Sequence, residues 1–101
     1  MRIILFFDLP SITSEEKRAY RHFVRDLTNL GFYRLQESVF CKMSVNMNSV
    51  TSTYKNIAKI KPKDGNVFAL LVTEHQFATM RIFLGENSSD VITSFDRMIE
   101  L

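Results

Sequence analysis

The chain has 101 residues and a formal net charge of +2, with 46% apolar and 24% charged residues. That length suits one domain and excludes a second of ordinary size, and the balance excludes disorder as the main state. The single cysteine, Cys41, excludes an intramolecular disulfide and a cysteine-based zinc cluster, and it fits a reducing compartment.

The first element is the continuous apolar run Ile3–Phe7, rich in branched and aromatic residues, which predicts a strand buried on both faces. It is too short for a signal sequence core or a membrane span, so the expectation is a soluble, cytoplasmic protein with no membrane partner. The strand ends at Asp8-Leu9-Pro10, because proline cannot donate to a ladder. A helix follows. Thr13 and Glu16 form a T-x-x-E capping box and Gly31 offers a left-handed C-terminal position. Between them Ala19, Tyr20, Phe23, Val24, Leu27 and Leu30 make one apolar stripe, with Lys17, Arg18, Arg21, His22 and Arg25 opposite.

Residues Phe32 to Met43 alternate, and their length predicts a bent strand or two short strands breaking near Gln36-Glu37-Ser38. Asn46 or Asn48 can cap a second helix, whose apolar face is Val50, Tyr54, Ile57 and Ala58 and which Pro62 ends. Lys63-Asp64-Gly65-Asn66 reads as a turn, and Val67–Val72 as another fully apolar strand. Thr73-Glu74-His75-Gln76 repeats the capping box and opens a short helix over Phe77–Met80, and Ile82-Phe83-Leu84 is a short strand. Residues 86–90 are a polar loop. The tail, 91–101, is amphipathic, and Arg97–Leu101 is a candidate strand for another sheet.

This order predicts one α+β domain over 1–101: a ferredoxin-like βαββαβ arrangement, with an antiparallel sheet, two helices on one face and an extra C-terminal strand. A core of this size is thin, since about 60–70% of the unfolded surface is buried. Pairing with a second chain would enlarge it.

Asp8 is the leading candidate for chemistry. A carboxylate at the C-terminal end of a buried strand stands where open α/β sheets place ligand groups, and it suits a hard cation such as magnesium. The plainer reading is a turn aspartate ahead of Pro10. One carboxylate is a poor metal site unless a partner chain brings another. The second candidate is the stripe of Arg18, Arg21 and Arg25 beside Lys17, whose spacing puts them on one helical face suited to phosphates. The plainer reading is a solvated face paired with Glu15 and Asp26. Charge is unevenly placed: residues 1–61 hold ten Lys/Arg against five Asp/Glu (+5), and residues 62–101 hold three against six (−3). That concentration favours an acidic polymer as partner. His22 and His75 have no ligand spacing, Cys41 reads as a buried small hydrophobe, and no motif for nucleophilic catalysis occurs.

Several short motifs, in order, resemble the CRISPR-associated Cas-two family. They are Phe7-Asp8-Leu9-Pro10, the helix segment Glu15 to Phe23, and Gly31-Phe32 through Gln36, Ser38, Val39 and Phe40. Gly65-Asn66, Val72-Thr73-Glu74 and Gln76-Phe77 are similar to the branch found beside type II systems. The resemblance implies a homodimer in which the segment 91–101 crosses to the partner. It implies a role in spacer acquisition, with the dimer bridging the Cas-one integrase and supporting protospacer double-stranded DNA. The alternative it implies is a magnesium-dependent endonuclease acting on RNA or double-stranded DNA, with manganese as a substitute metal. Asp8 matches the family's metal-binding and catalytic aspartate, and Phe40 matches another position tied to activity. Arg18 and Arg21, with Lys17 and Arg25 behind them, match the nucleic-acid-binding surface.

Overall fold

The computed structural model describes residues 1–85 and 92–94, in two compact units, Met1–Leu71 and Val72–Leu101. The expected loop at 86–90 and the candidate strand Arg97–Leu101 lie outside the described residues.

In the first unit β1 (Arg2–Asp8), α1 (Ser14–Asn29), β2 (Tyr33–Gln36), β3 (Val39–Met43), α2 (Met47–Ile60) and β4 (Asn66–Val72) follow one another. The strands lie side by side in the order β2-β3-β1-β4, in an antiparallel sheet. This is the ferredoxin-like βαββαβ arrangement that the order of elements predicts. β1 pairs with β3 so that Ile4 faces Cys41 and Leu5 faces Phe40. β2 pairs with β3 through Tyr33 opposite Cys41 and Arg34 opposite Phe40, and the register slips between Arg34 and Gln36. The predicted break is therefore a hairpin turn at Glu37-Ser38.

Alternation along β1 sorts its side chains. Ile3, Leu5 and Phe7 face a core that also holds Phe23 and Leu27 of α1, Val50 and Ile57 of α2, and Phe32 and Phe40. Both helices thus cover one face of the sheet. On the other face Ile4 is buried, but Phe6 is 38% exposed, so β1 is not fully buried on both sides. β4 departs further from the expected fully apolar, buried strand: Val67 and Leu71 pack on the core, whereas Phe68 and Leu70 are 59% and 53% exposed. β4 is an edge strand, and its second face carries apolar side chains into the open.

Phe7 organises the core at this end of β1. Its ring meets Phe23 edge-on at 5.0 Å, stacks on Phe40 at 5.7 Å and lies 5.9 Å from Tyr20. Truncating a buried aromatic of this kind typically costs about 3–5 kcal/mol. The helices start as their sequences require. Asn46 caps α2 by accepting from the Ser49 N–H at 2.8 Å. The buried face of α2 is shifted from the expected one: Thr53 is inside, while Tyr54 and Ala58 are exposed. A threonine is tolerated there because its hydroxyl donates to the Ser49 carbonyl at 2.9 Å.

In the second unit Thr73 and Gln76 form the predicted capping box around α3 (Glu74–Ala78), one turn earlier than the expected span. β5 (Arg81–Phe83) then pairs antiparallel with β6 (Ile92–Ser94).

The α1 cap has a pH signature. The Glu16 carboxylate accepts from the backbone N–H of Thr13 at 2.9 Å and of Ile12 at 3.0 Å, while Thr13 Oγ1 accepts from the Glu16 N–H at 3.1 Å. These bonds, that of Thr13 first, hold the Glu16 carboxyl below its ordinary value of 4.5. The folded chain therefore releases this proton more readily than the unfolded chain. The stabilisation is complete above pH 4.5 and is lost as pH falls through the lower, folded value. The thermal midpoint should fall more steeply below pH 4.5 in the wild type than in Glu16→Gln, which keeps an acceptor oxygen but does not titrate. Equal falls in scanning calorimetry would remove the cap from the acid response.

Candidate functional site

Asp8 is the last residue of β1, next to Phe7 and on the opposite side of the strand from it. The cluster that fixes Phe7 therefore fixes the base of Asp8, whose side chain is exposed. It lines an open cavity of about 330 Å³ together with Phe6, Val39 and Phe68, and with the polar residues Ser38 and Asn66. The antiparallel sheet explains the company: the end of β1 lies beside the beginning of β3 and the beginning of β4. The Phe7 N–H donates to the Ser38 carbonyl at 3.1 Å, which closes the hairpin turn against the strand end. Tyr20 of α1 holds the same turn, donating its hydroxyl to the Glu37 carbonyl at 2.9 Å and sharing a 3.2 Å hydrogen bond with Ser38 Oγ.

Phe40 is close by but inside. It is 1% exposed, stacked on Phe7, with the Arg34 guanidinium 5.2 Å above its ring centre. It stacks on Phe7, the neighbour of Asp8 in the chain, and does not line the Asp8 cavity. Among the described residues no three His, Cys, Asp or Glu side chains gather as a metal site. Among the described residues Asp8 is the one charged donor lining this cavity, so these residues do not by themselves fit a bound cation.

Lys17, Arg18, Arg21 and Arg25 are all exposed on α1. Arg25 is partly engaged, with Nη2 3.6 Å from Asp26 Oδ1 and 3.2 Å from His22 Nδ1. Arg18 borders a shallow groove of about 360 Å³ that also contains Glu15 and Asp26, so acidic groups interleave with the basic stripe. The stripe belongs to the helical layer and Asp8 to the other face of the sheet. The fold does not bring these two sets together within one chain.

Ser38 and Asn66 line the cavity with Asp8, and pattern reasoning does not single them out as site residues. A turn serine and a turn asparagine look alike in any sequence. Only the strand order sets both beside β1.

The domain is ferredoxin-like, with an exposed carboxylate at the end of its first strand and exposed basic side chains on its first helix, and its relatives narrow that description. The profile of the family CRISPR associated protein Cas2 matches residues 1–80. Two relatives called CRISPR-associated endoribonuclease Cas2, from Treponema denticola and Ligilactobacillus salivarius, are each 41% identical over 101 residues, covering all of both chains. A third of that name, from Streptococcus mutans, is 40% identical over all of this chain and 93% of its own. The chain belongs to the CRISPR-associated Cas2 family. The crystal structure of Streptococcus pyogenes Cas2 at pH 6.5 shares the fold, with a TM-score of 0.62 and 20% identity over 84% of this chain and 100% of that one.

Proposed function

We propose that the chain works as a homodimer in CRISPR adaptation, bridging subunits of the Cas-one integrase and holding protospacer double-stranded DNA along its α1 surfaces. The observation that carries this reading is the exposed stripe of Lys17, Arg18, Arg21 and Arg25 on the helical layer. Guanidinium groups on a convex helix favour binding to phosphates, which is insensitive to base sequence and sensitive to salt. The second copy is favoured by the other layer, where Phe6, Met43, Phe68 and Leu70 are all exposed on one sheet face. A chain with so thin a core gains most by covering such a face.

A second reading rests on Asp8. Relatives are called endoribonucleases, and the Asp8 carboxylate stands open in a cavity with hydroxyl and amide groups beside it. We propose that the dimer cleaves RNA there, with Asp8 from each copy supplying the paired carboxylates that one chain lacks. Magnesium, or manganese in its place, would be held by these two carboxylates and would stabilise charge on the phosphate. Phe40 serves this site by stacking under Phe7. Ser38 and Asn66 line the space where the substrate phosphate would rest.

Three results are expected. Replacing Arg18 and Arg21 together by Glu should weaken duplex binding equally for unrelated sequences. The slope of log K against log salt should flatten by roughly 0.9 for each phosphate that is no longer neutralised; unchanged titrations at low salt would sink the DNA-holding role. Asp8→Asn should abolish RNA cleavage while leaving duplex affinity intact, and cleavage that survives places the activity elsewhere. Phe68→Glu with Leu70→Glu should convert the dimer to a folded monomer in sedimentation equilibrium; a dimer that persists assigns the joint to another surface.

A further inference from the structure

We infer that Gly65 is a positioning residue for Asp8, an inference that rests on the reading of Asp8 as a working carboxylate. Gly65 has φ +93°, a conformation that glycine adopts without strain. That alone would make it a turn glycine. Its surroundings add a second demand. A Cβ on Gly65 would stand 2.6 Å from the Asp8 carbonyl oxygen, 2.7 Å from Leu9 Cδ2 and 3.0 Å from Leu9 Cα. Two of these three atoms are backbone, so rotamer changes cannot relieve the clash. Either the end of β1 or the turn entering β4 must move.

The second left-handed glycine provides the contrast. Gly31 has φ +100°, nearly the same conformation. A Cβ there would meet only the flexible end of Lys42, with Nζ at 3.4 Å. Both positions need glycine for the backbone angle, but only position 65 also needs it for space. What occupies that space is the backbone of Asp8 and its successor. The next residue, Asn66, lines the same cavity as Asp8. The close approach at Gly65 therefore sets two walls of the cavity at once: the carboxylate on β1 and the amide at the start of β4.

Asparagine separates the two demands, because it tolerates positive φ yet carries a Cβ. The experiment compares the full-length wild type with Gly65→Asn, Gly31→Asn and Asp8→Asn. It reads single-stranded RNA cleavage with magnesium and, independently, the ¹³C resonance of the Asp8 carboxyl carbon. Gly65→Asn is expected to move that resonance and to slow cleavage on the order of 10²-fold, the usual effect of misplacing a reacting group by about 1 Å. Gly31→Asn is expected to leave both at wild-type values. Wild-type resonance and cleavage in Gly65→Asn, or equal changes in Gly31→Asn, would overturn the inference. Full cleavage by Asp8→Asn would defeat the reading of the carboxylate itself, and the resonance would still decide whether Gly65 seats Asp8. Should Gly65→Asn not fold, Gly65→Ala adds the Cβ alone at the same seat. A moved Asp8 resonance there supports the inference, and an unmoved one overturns it.

Discussion

The ring of Phe7 holds the end of the first strand, and the rest of this molecule is arranged around that anchorage. Phe23 of α1 meets it edge-on and Phe40 of β3 stacks against it, so one residue ties the central strand to its neighbouring strand and to the covering helix. Aromatic pairs of this geometry contribute about 0.5–1.5 kcal/mol each beyond the area they bury. The same ring stops the strand from sliding, because a one-residue slip would send Phe7 to the open face and Asp8 into the core. A buried, unpaired carboxylate costs several kcal/mol. The position of Asp8 is thus enforced from both directions, by what its neighbour gains inside and by what it would lose there itself.

From that anchorage the molecule divides into two working surfaces. The helical layer carries the arginines outward, and the opposite sheet face carries an exposed apolar field with a carboxylate at its rim. A helix cannot cover both sides of a sheet, and α1 and α2 both pack on the Phe7 side. The basic side chains of α1 therefore face away from Asp8 of the same chain. The arginines and the carboxylate thus sit on separate surfaces, and a substitution on one leaves the geometry of the other untouched.

Most of the fold is legible in the sequence because its signals are local. The capping boxes at Thr13 and Thr73 need only four residues each. Exposure on β4 is not local. Phe68 and Leu70 read as core residues because apolar alternation is invisible within an all-apolar run, and edge position depends on the strand order. The shift on α2 has a similar cause, since Thr53 is polar by composition but self-satisfied by its own helix. At the site, Asp8 stands out because a charge interrupts an apolar run. Ser38, Asn66 and Gly65 do not, because their meaning comes from three chain segments meeting at one strand end.

The buried thiol of Cys41 has a use of its own. It is fully enclosed on β3, with Ile4 of β1 on one flank and Tyr33 of β2 on the other, and the sequence contains no second cysteine. Its side chain lies on the same sheet face as Ile4 and Tyr33, so a modifying reagent reaches it only when the cover of that face opens. The molecule thus carries a natural clock in the middle of its sheet. The rate at which the thiol is labelled measures how often that face of β3 is uncovered.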